Sequence, residues 1–211
     1  MTGTVPRSPE QSMQRFLEHC HRKTYAAKTV IVNAGDLSEE LFYIVKGSVS
    51  VIMEDDDGHE IVLAYLNDGD FFGEIGMFDE KHERSALVRT RTECEIAQIS
   101  YDRLKLVSVE LPDILYAMMS QLALRLRNTS RKVGDLAFMD VSGRVARALL
   151  DLCKQPDAMT HPDGMQIRIT RQELGRIAGC SREMVGRVLK NLEEERLVSV
   201  AGKTIVVFGT R

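Results

Sequence analysis

Two short runs carry the residue types from which an anion site is made. The first is Phe71-Phe72-Gly73-Glu74-Ile75-Gly76-Met77-Phe78, and the second is Glu83-Arg84-Ser85-Ala86. Gly73 and Gly76 permit close backbone approach and unusual dihedrals. Ile75 to Phe78 is long enough for one turn of helix, whose N–H groups would face an anion. Arg84 adds a charge-assisted donor and Ser85 a hydroxyl. Glu74 would be repelled by a phosphate, unless it accepts hydrogen bonds from sugar hydroxyls. Together these groups fit a ribose phosphate, with Arg84 and Ser85 on the phosphate and Glu74 on the ribose. The competing reading is a plain Glu74–Arg84 salt bridge in a loop. A second polar anomaly lies at Thr129-Ser130, two hydroxyls inside an apolar helical pattern. They either bond back to their own helix or meet a polar ligand.

A third group suits the reading of bases. Thr170-Arg171-Gln172-Glu173 has the spacing of a capping box, with Thr at the N-cap and Glu three residues on. Gly179-Cys180-Ser181 makes a turn, and Ser181 caps a second helix from Arg182 to Glu195. Two short helices joined by a Gly-containing turn are a helix-turn-helix, although a small helical bundle has similar spacing. Arg182 and Arg187 suit guanine O6/N7, and Glu183 suits cytosine N4. Arg171, Ser181 and Lys203 suit contact along the DNA backbone, and Gln172 is expected on the same DNA-binding surface.

The elements that must position these groups follow from patterning. Met13 to His21 reads as a short amphipathic helix. Short β-rich runs follow at Thr29–Val32, Leu41–Val45, Ser48–Met53, Glu60–Leu66, Ala86–Arg91 and Glu95–Ile99. Gly35, Gly47, Gly58 and Gly69 punctuate them at intervals of 11 or 12, as in an antiparallel sandwich or jelly roll. Asp55-Asp56-Asp57-Gly58 reads as a solvated hairpin tip, not a metal loop, because no further ligands follow at useful spacing. From Leu111 to Asp140 apolar residues recur at Leu115, Met118, Met119, Leu122, Leu126, Val133 and Leu136. That is a long helix of coiled-coil type with Thr129 on its seam. After a hinge at Phe138–Gly143 come a helix from Ser142 to Lys154, a surface loop from Gln155 to Gly164 and a short strand Ile167–Ile169. The pattern ends in a hairpin, Leu197–Val200 and Thr204–Phe208, as a wing. The fold class is α+β: an N-terminal β-roll over residues 1–110, a long dimerisation helix over 111–138, and a winged helix-turn-helix over 139–211.

Composition narrows the function. The 211 residues are 44% hydrophobic and 28% charged, with no run of 18 apolar residues. Met1 to Gln14 lacks the apolar core of a signal peptide, so a cytoplasmic protein is expected. The four scattered cysteines suit reduced thiols and no metal or iron–sulfur site. Residues 1–110 hold 12 Lys and Arg against 20 Asp and Glu, whereas residues 111–211 hold 16 against 11. An acidic half joined to a basic half directs the second half toward a polyanion. With no nucleophile beside a base, an enzyme is not expected.

Gly73-Glu74-Ile75-Gly76…Arg84-Ser85-Ala86 resembles the phosphate-binding cassette of cyclic-nucleotide-binding domains. Cys180-Ser181-Arg182-Glu183, Arg187 and Gly202-Lys203-Thr204…Gly209-Thr210-Arg211 extend the likeness to the bacterial cyclic-AMP receptor family, including its virulence-regulator branch. The family is itself a reference case for helix-turn-helix docking and DNA bending. The resemblance implies that Glu74 takes the ribose 2′-hydroxyl, that Arg84 pairs with the cyclic phosphate, and that Ala86 marks the cAMP form. It also implies that Thr129 and Ser130 meet adenine, one from each subunit of a homodimer, and that the dimer binds palindromic double-stranded operator DNA. Contact with RNA polymerase is implied at Ala158, Thr160, His161 and Gly164, and at a second surface of His21, Lys23 and Arg103. A weaker second nucleotide site is implied at Gly58, His59, Glu60 and Arg182. Two residues depart from the family pattern: Gln98 stands where Glu is expected, and Met184 replaces a Thr of the recognition helix. The alternatives are a regulator on the same scaffold that senses another ligand such as cyclic di-GMP, and a cyclic-nucleotide-binding regulatory subunit.

Overall fold

The computed structural model describes residues 8–79 and 81–210. Its contacts divide the chain into two compact units, one up to Asn128 and one from Thr129 onward. Arg211, the last residue of the terminal motif, lies outside the described residues.

The first unit opens with α1, Pro9–Leu17, which starts earlier than expected because Ser8 and Gln11 close a full capping box ahead of Pro9. His21 therefore falls in a strand, β1 (His21–Tyr25). The following strands are β2 (Val30–Val32), β3 (Glu40–Lys46), β4 (Val49–Glu54), β5 (Glu60–Leu66), β6 (Phe71–Phe72), β7 (Leu87–Thr90) and β8 (Cys94–Ser100). They form two antiparallel sheets with strand orders β1-β8-β3-β6 and β2-β7-β4-β5.

Alternation along β3 explains how the sheets pack, since successive side chains face opposite sides. Phe42 and Ile44 turn into a core shared by both sheets with Val49, Leu66, Phe72, Val88 and Ile96. Leu41 turns the other way, with Phe71 and Ile99, onto Phe16 of α1. That outer layer also contains α2 (Tyr101–Glu110), a helix with buried Leu104 and Val107 but exposed Leu106 and Val109. Its apolar residues surround the axis, so no single stripe marks it in the sequence.

The long helix α3 runs Asp113–Phe138 over 26 residues. Its apolar stripe is divided between two tasks. Ile114 and Met118 are buried in the outer layer of the first unit, so Met118 is not a seam residue. Met119, Leu126, Val133 and Leu136 remain exposed, Leu126 to 70%. With half-buried Leu122 and exposed Thr129 they keep alternating three- and four-residue spacing, the register of a coiled-coil seam. Ser12 Oγ, buried on α1, donates to Asp113 Oδ2 at 3.0 Å and fixes the start of the helix.

The second unit contains α4 (Val141–Leu152), β9 (Met159–His161), β10 (Gly164–Arg168), α5 (Arg171–Ala178), α6 (Arg182–Glu194), β11 (Val198–Ala201) and β12 (Thr204–Phe208). Its sheet has the order β11-β12-β10-β9. The expected loop from Gln155 to Gly164 is thus partly strand. β9 pairs with β10 through Gly164↔His161, Met165↔Thr160 and Gln166↔Met159. Only Met139 and Asp140 separate α3 from α4, and Asp140 Oδ1 caps α4 by accepting from the Gly143 N–H at 2.8 Å.

Ile114 anchors α3 to the first unit at 1% exposure. Ile114→Ala is expected to cost about 2–5 kcal/mol, read as a lower urea midpoint of unfolding without a change in slope.

Candidate functional site

The cassette is a bend between β6 and a 3-10 turn, Ile75–Met77. Gly73 has φ +82°, and a Cβ there would stand 2.7 Å from Arg84 Nη1. A Cβ on Gly76 would stand 2.8 Å from the Tyr101 hydroxyl. Both glycines therefore leave room for the groups that fill the bend.

Arg84 is 5% exposed. Its Nη1 donates to Gly73 O at 2.8 Å and to the Tyr101 hydroxyl at 3.1 Å, and its Nη2 donates to Ser38 Oγ and to Glu40 O at 2.7 Å. Tyr101 also donates to Gly73 O. Burial pushes the Tyr101 hydroxyl pKa up, against the pull of the Arg84 charge, so it remains a protonated donor. Arg84 Nε is buried without a hydrogen-bond partner. Among the described residues no carboxylate lies within ion-pair distance of Arg84. Burying such a cation is costly unless an anion joins it.

Glu74 does not pair with Arg84, which removes the plain loop salt bridge. Its buried carboxylate meets Arg125 of α3, with Nη1 at 3.0 Å from Oε1. Arg125 also donates to Phe71 O and to Gln121 Oε1. Gln121 itself accepts from Phe71 N and donates to Gly69 O. Arg125, Gln121 and Tyr101 are site residues that sequence patterning missed. The available signal was the four-residue spacing of Gln121 and Arg125, which sets two polar side chains on one face of α3. Ser85 and Ile75 are exposed, and Ala86 is buried.

Thr129 and Ser130 are exposed on α3, in the second unit. Neither hydroxyl has a hydrogen-bond partner among the described residues, so neither bonds back to the helix.

The helix-turn-helix forms as its caps dictate. Thr170 Oγ1 accepts from the Glu173 N–H at 3.1 Å, Gly179 turns the chain at φ +65°, and Ser181 Oγ accepts from the Met184 N–H at 3.3 Å. Arg144 of α4 clamps the turn, with Nε on Ala178 O at 2.9 Å and Nη2 on Gly179 O at 3.3 Å. Val185, Val188 and Leu189 of α6 are buried, and Met184 is half-buried. Arg182, Glu183, Arg187 and Lys190 are exposed, as are Arg171, Gln172, Ser181 and Lys203. Arg171 lies over Gly186, with Nη1 3.6 Å from where a Cβ would stand, so it shares the surface of α6. The Glu183 carboxyl is held below its ordinary range by its own backbone N–H, then by the Ser181 hydroxyl and the Arg182 and Arg187 charges. It stays an ionised acceptor.

The other sequence-derived positions fall as follows. Thr160 is exposed and Ala158 and His161 are half-buried, with His161 3.7 Å from Asp163. Gly164 is a correction. It is buried, and a Cβ there would stand 2.0 Å from Val207 O, so it packs β10 against β12 and offers little surface to a partner. His21 and Lys23 are exposed on β1, where His21 pairs in register with Gln98, and Arg103 Nη2 lies 3.1 Å from His19 Nδ1. Gly58, His59 and Glu60 occupy the β4–β5 hairpin tip, where His59 meets Asp55 at 3.1 Å and Glu60 meets Arg89 at 2.9 Å. Arg182 belongs to the second unit. Asp55, Asp57 and His59 form an exposed cluster at the same tip, but the Asp55 carboxylate is already engaged by the Asp57 and His59 backbone N–H groups. Burial pushes the Cys20 thiol up to about 11 and also raises Cys94, Cys153 and Cys180, which describes unreactive thiols.

A sugar-phosphate cassette carried on the same chain as a winged helix-turn-helix defines a ligand-responsive DNA-binding regulator. Residues 22–107 match the cyclic nucleotide-binding domain, and residues 143–208 match the Crp-like helix-turn-helix domain. The chain is 64% identical, over 94% of each sequence, to the cAMP-activated global transcriptional regulator Vfr of Pseudomonas aeruginosa. It is 57% identical, over 96% of each, to the cAMP-activated global transcriptional regulator CRP of Salmonella typhimurium. The structure of the c-di-GMP responsive global regulator CLP of Xanthomonas campestris superposes with a TM-score of 0.89 at 48% identity, covering 95% of this chain and 100% of that one. The chain belongs to the CRP family of transcriptional regulators.

Two substitutions separate base reading from backbone contact. Glu183→Val is expected to relax preference at one base pair per half-site. Lys203→Ala is expected to weaken all sequences alike and to flatten the salt dependence. Selection of sites from random DNA checks both, and an unchanged site logo for Glu183→Val removes the direct-readout role.

Proposed function

We propose that this chain is a homodimeric, cAMP-responsive transcriptional regulator that acts in the cytoplasm, binds palindromic operators and contacts RNA polymerase. The observation that carries the ligand reading is Arg84, a buried cation with an unpartnered Nε and, among the described residues, no carboxylate within ion-pair distance. A cyclic phosphate supplies the missing charge, with Ser85 beside it, while Glu74, already oriented by Arg125, accepts from the ribose. The exposed heptad stripe of α3 supplies the dimer seam, and Thr129 and Ser130 on that helix supply hydroxyls for the base. The exposed set Arg182, Glu183 and Arg187 has no task in a regulatory subunit that waits on a catalytic partner. Exposed Thr160, His21, Lys23 and Arg103, with half-exposed Ala158 and His161, remain the surfaces proposed for RNA polymerase. The role is regulation without turnover of the ligand.

Calorimetric titration with cAMP, cGMP and cyclic di-GMP, followed by operator binding with each, tests the ligand. Tightest binding and largest operator response are expected for cAMP, whereas a response confined to cyclic di-GMP transfers the chain to the second reading. Arg84→Leu is expected to remove most cAMP affinity, because each charge-assisted hydrogen bond contributes about 1.5–3 kcal/mol. Near-normal affinity in a folded Arg84→Leu protein overturns the cassette assignment.

Coupling must also be reciprocal: operator DNA tightens cAMP binding by the factor by which cAMP tightens operator binding. Thr129→Ala with Ser130→Ala is expected to weaken cAMP by about 1–3 kcal/mol per group left unpaired. The same double substitution should blur cAMP against cGMP and shrink the coupling factor. Measuring cAMP affinity with and without operator checks this, and a full coupling factor in the double variant excludes the hydroxyls as the relay.

A further inference from the structure

The last turns of α3 and the first helix of the DNA-binding unit are tied by charges set out as a ladder. Arg131 and Asp135 lie four residues apart on α3, and Arg147 and Asp151 lie four residues apart on α4. Arg131 Nη2 stands 3.3 Å from Asp151 Oδ2, and Arg147 Nη1 stands 3.5 Å from Asp135 Oδ1. The two helices are therefore antiparallel here, with each Arg facing an Asp. A slip of one turn would set Arg131 against Arg147 or Asp135 against Asp151, so the ladder specifies one register. Within each helix Arg precedes Asp, which is the weaker orientation for an intrahelical pair. That order leaves the charges to act across the helices.

Other contacts stiffen the same corner. Arg144 Nη1 donates to Met139 O at 3.0 Å, across the two-residue break, while its other nitrogens hold the helix-turn-helix turn. Lys154 Nζ also reaches Asp151, at 3.4 Å, and Lys132 lies within the influence of Asp151 and Arg131. The boundary between the compact units accordingly falls at Asn128/Thr129, inside α3, and not at the break between α3 and α4. We propose that Arg131, Asp135, Arg147 and Asp151 are positioning residues that lock the end of α3, with Thr129 and Ser130, to α4. A ligand that moves those hydroxyls then moves the DNA reader as one body. This proposal rests on the reading of Thr129 and Ser130 given above.

The Asp135–Arg147 rung gives the cleaner test, because Asp151 has additional cations. Asp135→Arg, Arg147→Asp and the exchanged pair are made in the full chain, and operator affinity is measured with and without saturating cAMP. Each single reversal is expected to lower the coupling factor by about two- to fivefold or more, the range of an ion pair near the surface with added like-charge repulsion. The exchanged pair is expected to restore it, and cAMP affinity without DNA should be unchanged in all three. If a reversal fails to fold, Asp135→Asn and Arg147→Gln report the same loss. Wild-type coupling in the single variants, or no recovery in the exchanged pair, overturns the ladder alone. A wild-type protein whose operator affinity ignores cAMP overturns the functional reading and the ladder together.

Discussion

Arg84 carries its charge into the interior of the first unit, where it meets two main-chain carbonyls, a serine hydroxyl and a phenol. Neutral acceptors offset part of the desolvation of a guanidinium but do not neutralise it. Much of the local architecture follows from that incomplete compensation. Gly73 has no side chain because Arg84 occupies the space, and its positive φ turns its carbonyl toward both Arg84 and Tyr101. Tyr101 opens α2, so the helix that covers the outer layer begins at the cassette. Glu74 is kept away from this cation by Arg125 of α3, which draws the carboxylate to itself. Two opposite charges adjacent in the sequence pattern are thus held apart, and each can serve a different part of one ligand.

The same separation explains what was readable from the sequence. The Gly-Glu and Arg-Ser-Ala runs are local, and the physical demands on them, tight turn, cation and hydroxyl, are written in consecutive residues. The helix-turn-helix is legible for the same reason, because Thr170 and Ser181 cap within three residues of themselves. The Arg125–Glu74 pair spans 51 positions and the Arg84–Tyr101 bond spans 17, so neither leaves a spacing signal. The long helix is legible by its period, but period alone does not tell which apolar residues face their own unit. Ile114 and Met118 go to the outer layer, and Met119 and Leu126 stay bare, because the sheet covers only one side of α3 near its start. Gly164 reads as surface in the sequence because it closes the polar stretch from Gln155. Its environment is set by Val207, more than forty residues later, which only strand pairing reveals.

Charge is divided as the tasks are. An acidic first half can hold a small anion only where a cation is sheltered from its surroundings, and the buried Arg84 is a cation so sheltered. The basic second half leaves its cations exposed on α5, α6 and the wing, where a bound polyanion would release its counterions. Glu183 among these cations keeps its proton off through its own N–H and the Ser181 hydroxyl. It is therefore a fixed negative point on a positive surface, and a point of that kind would penalise a partner that presents no donor to it.

The bare side of α3 has a consequence of a different kind. A lone chain exposes Met119, Leu126, Val133 and Leu136 to water along one line, and burying them against a second chain stabilises the folded state by mass action. The melting temperature should therefore rise with protein concentration. The number of copies in a cell then becomes an input of its own. At low abundance part of the population would be single chains, which keep the Arg84 cassette but lack the proposed base contact from a second α3 and the second DNA-reading helix. An apolar line of this kind, as the proposed dimer seam, would thus also set a threshold of expression below which the sensor is silent.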